Sequence, residues 1–479
     1  MRKAARSTLP PGPPLPRVIQ AALMLHRGSH FVAACRRRYG SVFTLRVAGM
    51  GTLVYLGDPA DIKTVFAGDP RIFHAGQANS ILGGLLGESS LLVIDEDVHL
   101  DRRRLMLPPF HRDAVARQAG LMADIAAAKI ADWPVGKGFA AAPKMSEITL
   151  EVILRTVIGA TDPARLAALR AIMPRLLTVG PWATLALARP ELQRYLPWRA
   201  LRRRMAEADR LLYAEIAERR ADPDLAGRTD VLAMLVRADE GAHPMPDREL
   251  RDQLMTLLVA GHDTTANGLS WALERLTRHP PVLAKAVAAA EAAAAGDPAG
   301  DEYLDALVKE TLRIRPVVFD VGRVLTEPAD VAGYRLPAGV MVAPGIGLVH
   351  SAAAVYPDPD RFDPDRMLGA TLTPTTWFPF GGGNRRCLGA GFATVEMRVV
   401  LREILRRVEL RTTTAADERQ RLKFVVLVPH RGARIRLRAI RDAPAATSAA
   451  GSAAREPAAV VPAIASPAVA RRGNPPASA

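Results

Sequence analysis

Phe380-Gly-Gly-Gly-Asn-Arg-Arg-Cys387-Leu-Gly389 is the stretch on which the reading of this chain turns. Its consecutive glycines let backbone approach a flat ligand with no Cβ in the way. After the cysteine, Leu388, Phe392, Val395 and Val399 recur at helical spacing, which places Cys387 at a helix N-terminus. The helix dipole and unpaired N–H groups at such a position favour a thiolate over a thiol. A structural cysteine behind a glycine turn accounts for Cys387 but not for Phe380 and Arg385 at their offsets. A phosphate loop would need Gly-Lys-Ser/Thr, and zinc would need further ligands at short spacing; the window has neither.

A thiolate at the mouth of a glycine loop, with Arg385 and Arg386 beside it, is suited to be the axial ligand of a haem iron. The window resembles the F-x-x-G-x-R-x-C-x-G signature of the cytochromes P-450, the haem-thiolate monooxygenases, at Phe380, Gly383, Arg385, Cys387 and Gly389. The resemblance implies a mainly α fold with small β-sheets, arranged as a triangular prism. It places haem b between a long central helix and the helix that follows the cysteine, with Cys387 on the iron.

Asp247 to Arg278 reads as that long helix, preceded by Pro246 and ended by His279-Pro280-Pro281. At 1.5 Å per residue it spans about 45–50 Å. Leu250, Leu254, Leu257, Leu258, Leu269, Leu273 and Leu276 supply its apolar face. In its middle stands Ala260-Gly-His-Asp-Thr-Thr265. A glycine, an acid and two β-branched alcohols are poor helix formers, so an interruption is expected here. Threonine hydroxyls can bond back to the preceding turn, and Gly261 leaves room over a flat cofactor. The segment resembles the family's A/G-G-x-D/E-T motif at Ala260, Gly261, Asp263 and Thr264. The implied roles are a hydrogen bond from Thr264 to bound dioxygen, or to the water that protonates it, and a proton relay through Asp263.

Glu310-Thr-Leu-Arg313 puts a carboxylate and a guanidinium at i and i+3, on one helical face. Its position ahead of the cysteine loop resembles the family's E-x-x-R motif, and Arg366 matches the third member of a buried charge triad. Haem carries two propionates, and four cations match family positions for them: His99, Arg103, Arg323 and Arg385. His99 and Arg103, at i and i+4, point to one side. Two departures affect local packing: Ser351-Ala-Ala follows His350 where Arg-Asp-Pro is usual, and Met367 stands where an aromatic is common.

The 479 residues are 49% hydrophobic and 24% charged, the balance of a globular protein. Residues 1–17 read as a proline-rich segment, 18–440 as the haem-thiolate domain and 441–479 as a disordered Ala/Pro/Ser-rich tail. Two valine-rich runs at 41–47 and 51–56 predict a hairpin, and runs at 422–428 and 433–437 a last strand pair around His430-Arg-Gly. Two distant cysteines, Cys35 and Cys387, point to a reducing compartment. No stretch nears the roughly 18–20 apolar residues of a membrane span; the run at 18–25 stops at His26 and Arg27. A cytoplasmic protein without a transmembrane anchor is expected.

Lys+Arg exceed Asp+Glu by 64 to 49, a net charge of +15. Dispersed arginines, 5% aromatics and the lack of nucleic-acid motifs argue against nucleic-acid binding; a basic face for an acidic redox protein fits as well. With no reductase domain in view, electrons would come from a separate ferredoxin or flavoprotein reductase. Arg102, Arg104, Arg386, Arg398 and Arg402 are the candidate docking face. Residues 73–92, 176–198, those around Ala260, and 317–321 would line an apolar site for a lipid, steroid, terpene or polyketide. The resulting reading is a monooxygenase that inserts one atom of O2 into an apolar substrate. A peroxide-driven or isomerising haem-thiolate enzyme and a non-catalytic haem-binding sensor are the alternatives.

Overall fold

Val42–Val47 (β1) and Gly51–Leu56 (β2) pair antiparallel, as the two valine-rich runs predict. They belong to a computed structural model that describes residues 9–160, 162–177, 198–238 and 245–441. The first eight residues, the tail beyond Arg441 and most of the 176–198 lining segment lie outside the described residues. Phe73–His74 (β3), Arg323–Leu325 (β4) and Met341–Pro344 (β5) complete the sheet in the order β1-β2-β5-β4-β3. β2 and β5 run parallel and the other neighbours antiparallel.

Helices make up most of the remainder: Arg17–Tyr39 (α1), Glu96–Met106 (α2), Arg112–Ile130 (α3), Ala141–Ile153 (α4), Asp247–Arg278 (α5), Pro280–Ala294 (α6), Pro298–Ile314 (α7) and Ala390–Arg407 (α8), with others between, Pro163–Leu177 and Arg199–Arg220 among them. The chain is mainly α with small sheets, as expected.

α5 has the predicted bounds. Pro246 caps it in an extended conformation, Asp247 and Glu249 meet the positive end of the dipole, and Arg275 and Arg278 the negative end. His279 leaves helical geometry (φ −125°, ψ 77°), and Pro280 then starts α6. Leu250, Leu254, Leu258, Leu269, Leu273 and Leu276 are fully buried in the main core, each worth about 2 kcal/mol. The expected interruption does not occur: α5 is one continuous helix. Its alcohols adapt instead, Thr264 Oγ1 donating to Ala260 O (2.6 Å) and Thr265 Oγ1 to Gly261 O (2.9 Å).

α4 packs along α5, α3 along α8, and α5 crosses α8. At that crossing a Cβ on Gly268 would stand 3.0 Å from the Met397 thioether. The last predicted strand pair is re-partnered. Gln420–Lys423 (β6) folds back on Val426–Pro429 (β7) around Phe424 and Val425, while Arg434–Ile440 pairs with Gly138–Ala140 and Val408–Leu410. Trp271 Nε1 donates to Leu427 O (3.1 Å) and Leu427 N to Val317 O (2.7 Å), which pins the β6–β7 hairpin across α5.

Candidate functional site

Cys387 lies three residues before α8, not on its first turn, because Gly389 caps the helix. The loop closes on itself, Cys387 N donating to Phe380 O (2.9 Å). Phe380 packs edge-on against Trp377, with ring centroids 6.0 Å apart. Gly381 and Gly383 adopt left-handed conformations (φ +68° and +65°), which a side chain would strain. Two of the glycines pack closely on protein: a Cβ on Gly382 would lie 2.3 Å from the Phe66 ring, and one on Gly383 2.3 Å from Phe66 O. Close packing on Phe66 is thus a second demand on Gly382 and Gly383.

The Cys387 side chain is exposed by area, while the protein around it desolvates the thiol. Burial pushes its pKa up, against the Gly389 N–H and the positive charges of Arg103 and Arg386, which pull it down. The helix-end preference for thiolate is therefore outweighed by desolvation in the protein alone.

Around this loop the four predicted cations come together. His99 is buried on α2, and its pKa falls to about 3 through burial and then through repulsion from Arg385, Arg103 and Arg323, with Asp95 opposing. Arg323, on β4, is lowered to about 10 by burial and by Arg385. Arg385 is also lowered to about 10, by burial first, with Asp95 opposing and Arg103 reinforcing. Mutual repulsion among buried cations is costly unless an anion sits among them. Asp95, which no local pattern singles out, partly compensates. It is ion-paired with Arg385 Nη2 and accepts from Gly76 N (2.8 Å) and Gln77 N (2.9 Å).

The second half of the site is on α5. From 250 to 277 this helix is buried except at Leu257, Val259, Ala260, Gly261, Asp263 and Thr264. The partly accessible window thus coincides with the Ala260–Thr264 motif. At Gly261 a Cβ would meet Ile153 Cδ1 at 2.7 Å, so its absence lets α4 approach α5. Asp263 Oδ1 pairs with Lys423 Nζ at 3.1 Å, a partner supplied by β6 that no local pattern announces. One residue beyond Thr264, Thr265 adjoins Glu396 of α8. The Thr265 proton goes to Gly261 O, so both Glu396 oxygens lack a hydrogen bond among the described residues. Burial holds the Glu396 carboxyl well above its ordinary pKa of 4.5, with Thr265 opposing.

The predicted triad forms. Arg313 Nε and Nη2 grip Glu310 at 2.7 and 2.8 Å, a bidentate pair buried to 1% and 0% side-chain exposure. Arg366 Nε stands 3.4 Å from Glu310 Oε1. Both arginines also cap carbonyls, Arg313 those of His350 and Pro359 and Arg366 that of Pro357, which fixes the chain leading to the cysteine loop. Where the sequence departs at His350, Nε2 accepts from Phe378 N (3.2 Å). Met367 is buried in a small cluster with Tyr356. Of the five arginines of the candidate docking face, Arg104 and Arg386 are exposed. Arg102 is paired with Glu249 and Arg398 with Asp305, and Arg402 is half-buried.

Comparison with known proteins agrees with this geometry. The family model described as Cytochrome P450 matches residues 10–436. A Mycobacterium tuberculosis protein carrying the name cytochrome P450 135B1 is 75% identical over 452 residues, 94% of this chain and 96% of that one. Another from the same organism, named cytochrome P450 135A1, is 41% identical over 443 residues, covering 91% and 97%. Among solved structures, the cytochrome P450DA heme domain superposes with a TM-score of 0.77 at 25% identity, covering 91% of this chain and 99% of that one. The retinoic-acid-bound cyanobacterial CYP120A1 shares the fold with a TM-score of 0.78 at 23% identity, covering 90% and 100%. By family model, relatives and fold, the chain belongs to the cytochrome P450 family, oxidoreductases of the monooxygenase superfamily.

Proposed function

We propose that the protein is a haem-thiolate monooxygenase that places one atom of O2 into an apolar organic substrate, using electrons from a separate ferredoxin or flavoprotein. The observation that carries this reading is the gathering of His99, Arg103, Arg323 and Arg385 around the loop of an accessible Cys387. That donor set fits haem b: one thiol for the iron, and buried cations with a single compensating carboxylate for two propionates. The name of the P450DA heme domain supports the same cofactor. When bound, haem supplies oxygen activation, to which a thiolate ligand contributes electron density.

The chain's own residues supply position and protons. His99 and Arg103 on α2, with Arg323 and Arg385, would hold the propionates. Thr264 Oγ1, whose proton goes to Ala260 O, keeps its lone pairs to accept from a water in the window. Asp263 is the acid nearest that window on α5, and it must leave Lys423 to pass a proton inward. An accessible acid–alcohol pair serves O2-driven chemistry and has no task in a peroxide-driven enzyme or a sensor.

Thr264→Ala tests the reading with a surrogate reductase, an apolar substrate identified by spectral titration, and peroxide measured beside product. The expected result is near-normal electron consumption with most of the product replaced by hydrogen peroxide. Asp263→Asn should slow turnover roughly 10²–10⁴-fold, the usual worth of a general acid. Unchanged product yield in both variants would remove Asp263 and Thr264 from the mechanism.

A further inference from the structure

The N-terminal part of the chain turns apolar side chains outward in a basic setting. Residues 1–57 contain nine Lys and Arg and no Asp or Glu. Within α1 the backbone leaves helical geometry at Arg27 (φ −145°, ψ 34°), so the turns before it form a segment of their own. Val18, Ile19, Ala22 and Leu25 follow one another at i, i+1, i+4 and i+7, the spacing of one helix face. That face is in water: Val18 is 72%, Ile19 48% and Leu25 52% exposed. The opposite face is fixed to the protein. Gln20 is buried, donates to Leu15 O (2.8 Å) and accepts from Arg46 N (2.9 Å).

Two elements packed against α1 expose further apolar side chains. Ala48 N donates to Arg17 O (3.2 Å), which brings the β1–β2 turn alongside α1, and Met50 at that turn is 53% exposed. β6 packs against α1, and its hairpin exposes Leu422 and Val425. Arg17, Arg27, Arg46 and Arg421 are exposed on these same elements, and none makes an ion pair among the described residues. Single exposed apolar residues are ordinary. A helical stripe joined by apolar tips from two adjacent hairpins, with free arginines and no acid, is not scatter.

We propose that this face docks on an anionic lipid bilayer, its apolar stripe entering the headgroup boundary and its arginines meeting lipid phosphates. Charge and apolarity select this occupant together: an acidic protein would account for the arginines but not for Val18, Ile19 and Leu25. Binding is peripheral, since no described helix is long and apolar enough to cross a membrane. The β6–β7 hairpin runs from this face to the Lys423–Asp263 pair. On the monooxygenase reading it would bring a membrane-dissolved substrate near the site, but docking itself stands without that reading.

The test is sedimentation of the full-length protein with vesicles in about 0.15 M salt, using phosphatidylcholine alone or with about one-third phosphatidylglycerol. The anionic vesicles are expected to bind at least tenfold more tightly than the neutral ones. Val18→Asp with Leu25→Asp, checked for an unchanged circular dichroism spectrum and melting temperature, should abolish that binding. Arg17→Gln with Arg27→Gln should weaken it towards the neutral-vesicle value. Equal binding after Val18→Asp with Leu25→Asp would overturn the proposal by assigning the affinity to charge elsewhere. A failure to bind either vesicle would also overturn it and leave the face to a protein partner. No outcome depends on haem or turnover, so failure here and failure of the monooxygenase reading are distinguishable.

Discussion

At Glu396 a carboxyl group is buried between α8 and α5 with neither oxygen hydrogen-bonded among the described residues. An ionised carboxylate there would be prohibitively desolvated, so the folded protein keeps it protonated far above 4.5. Below that pH both folded and unfolded chains hold the proton. Above it the unfolded chain releases the proton and the folded one does not, so stability falls as pH rises, by about 1.4 kcal/mol per unit, until the folded pKa is reached. Glu396→Gln should lack this loss. In thermal unfolding from pH 4.5 upward, its melting temperature should gain on the parent's with each unit. A constant difference across pH would show that Glu396 ionises normally. The sequence gives Glu396 no prominence, because its environment comes from Thr265 on another helix. Asp95 and Lys423 were missed for the same reason: their partners Arg385 and Asp263 are far away in sequence. Cys387, Glu310 and Arg313 were legible because fixed residue types at short spacing carry their own evidence.

Among elements, α5 was read to its terminal residues because prolines and leucine spacing mark both ends. Its expected interruption failed because the Thr264 and Thr265 hydroxyls find carbonyls one turn back, which lowers the cost of placing them in mid-helix. The packing demand at Gly261 is not legible in the sequence, since only the fold brings Ile153 against it. Gly261→Ala should destabilise the protein by about 1–3 kcal/mol through overpacking, and Ile153→Val should restore part of the loss in the double variant. Chemical denaturation of the three variants checks this; additive effects would contradict the contact. The β6–β7 hairpin was mis-partnered because runs of similar composition do not specify which strand each will meet. Its Lys423 offers an element-level test of the proton relay. Lys423→Met removes the tether on Asp263 and should alter the ratio of peroxide to product while changing the stability by no more than about 1 kcal/mol, as for a partly exposed pair. An unchanged ratio would make the pair purely structural.

For the whole molecule, the mainly helical architecture followed from long periodic segments between two β-rich stretches, and the match of the Cytochrome P450 family model over residues 10–436 agrees with it. The net charge of +15 had no local meaning until the fold showed acid-free segments collected on neighbouring elements at the start of the domain. The global claim is that this fold holds haem through the Cys387 thiolate. Burial opposes that thiolate in the protein alone, so iron must supply the charge that stabilises it. The most direct measurement is the absorption spectrum of purified protein, reduced with dithionite and exposed to carbon monoxide. A strongly red-shifted Soret band that disappears in Cys387→Ser is the expected result. Bound haem with an unshifted band, or no haem after expression with ample haem supply, would contradict it.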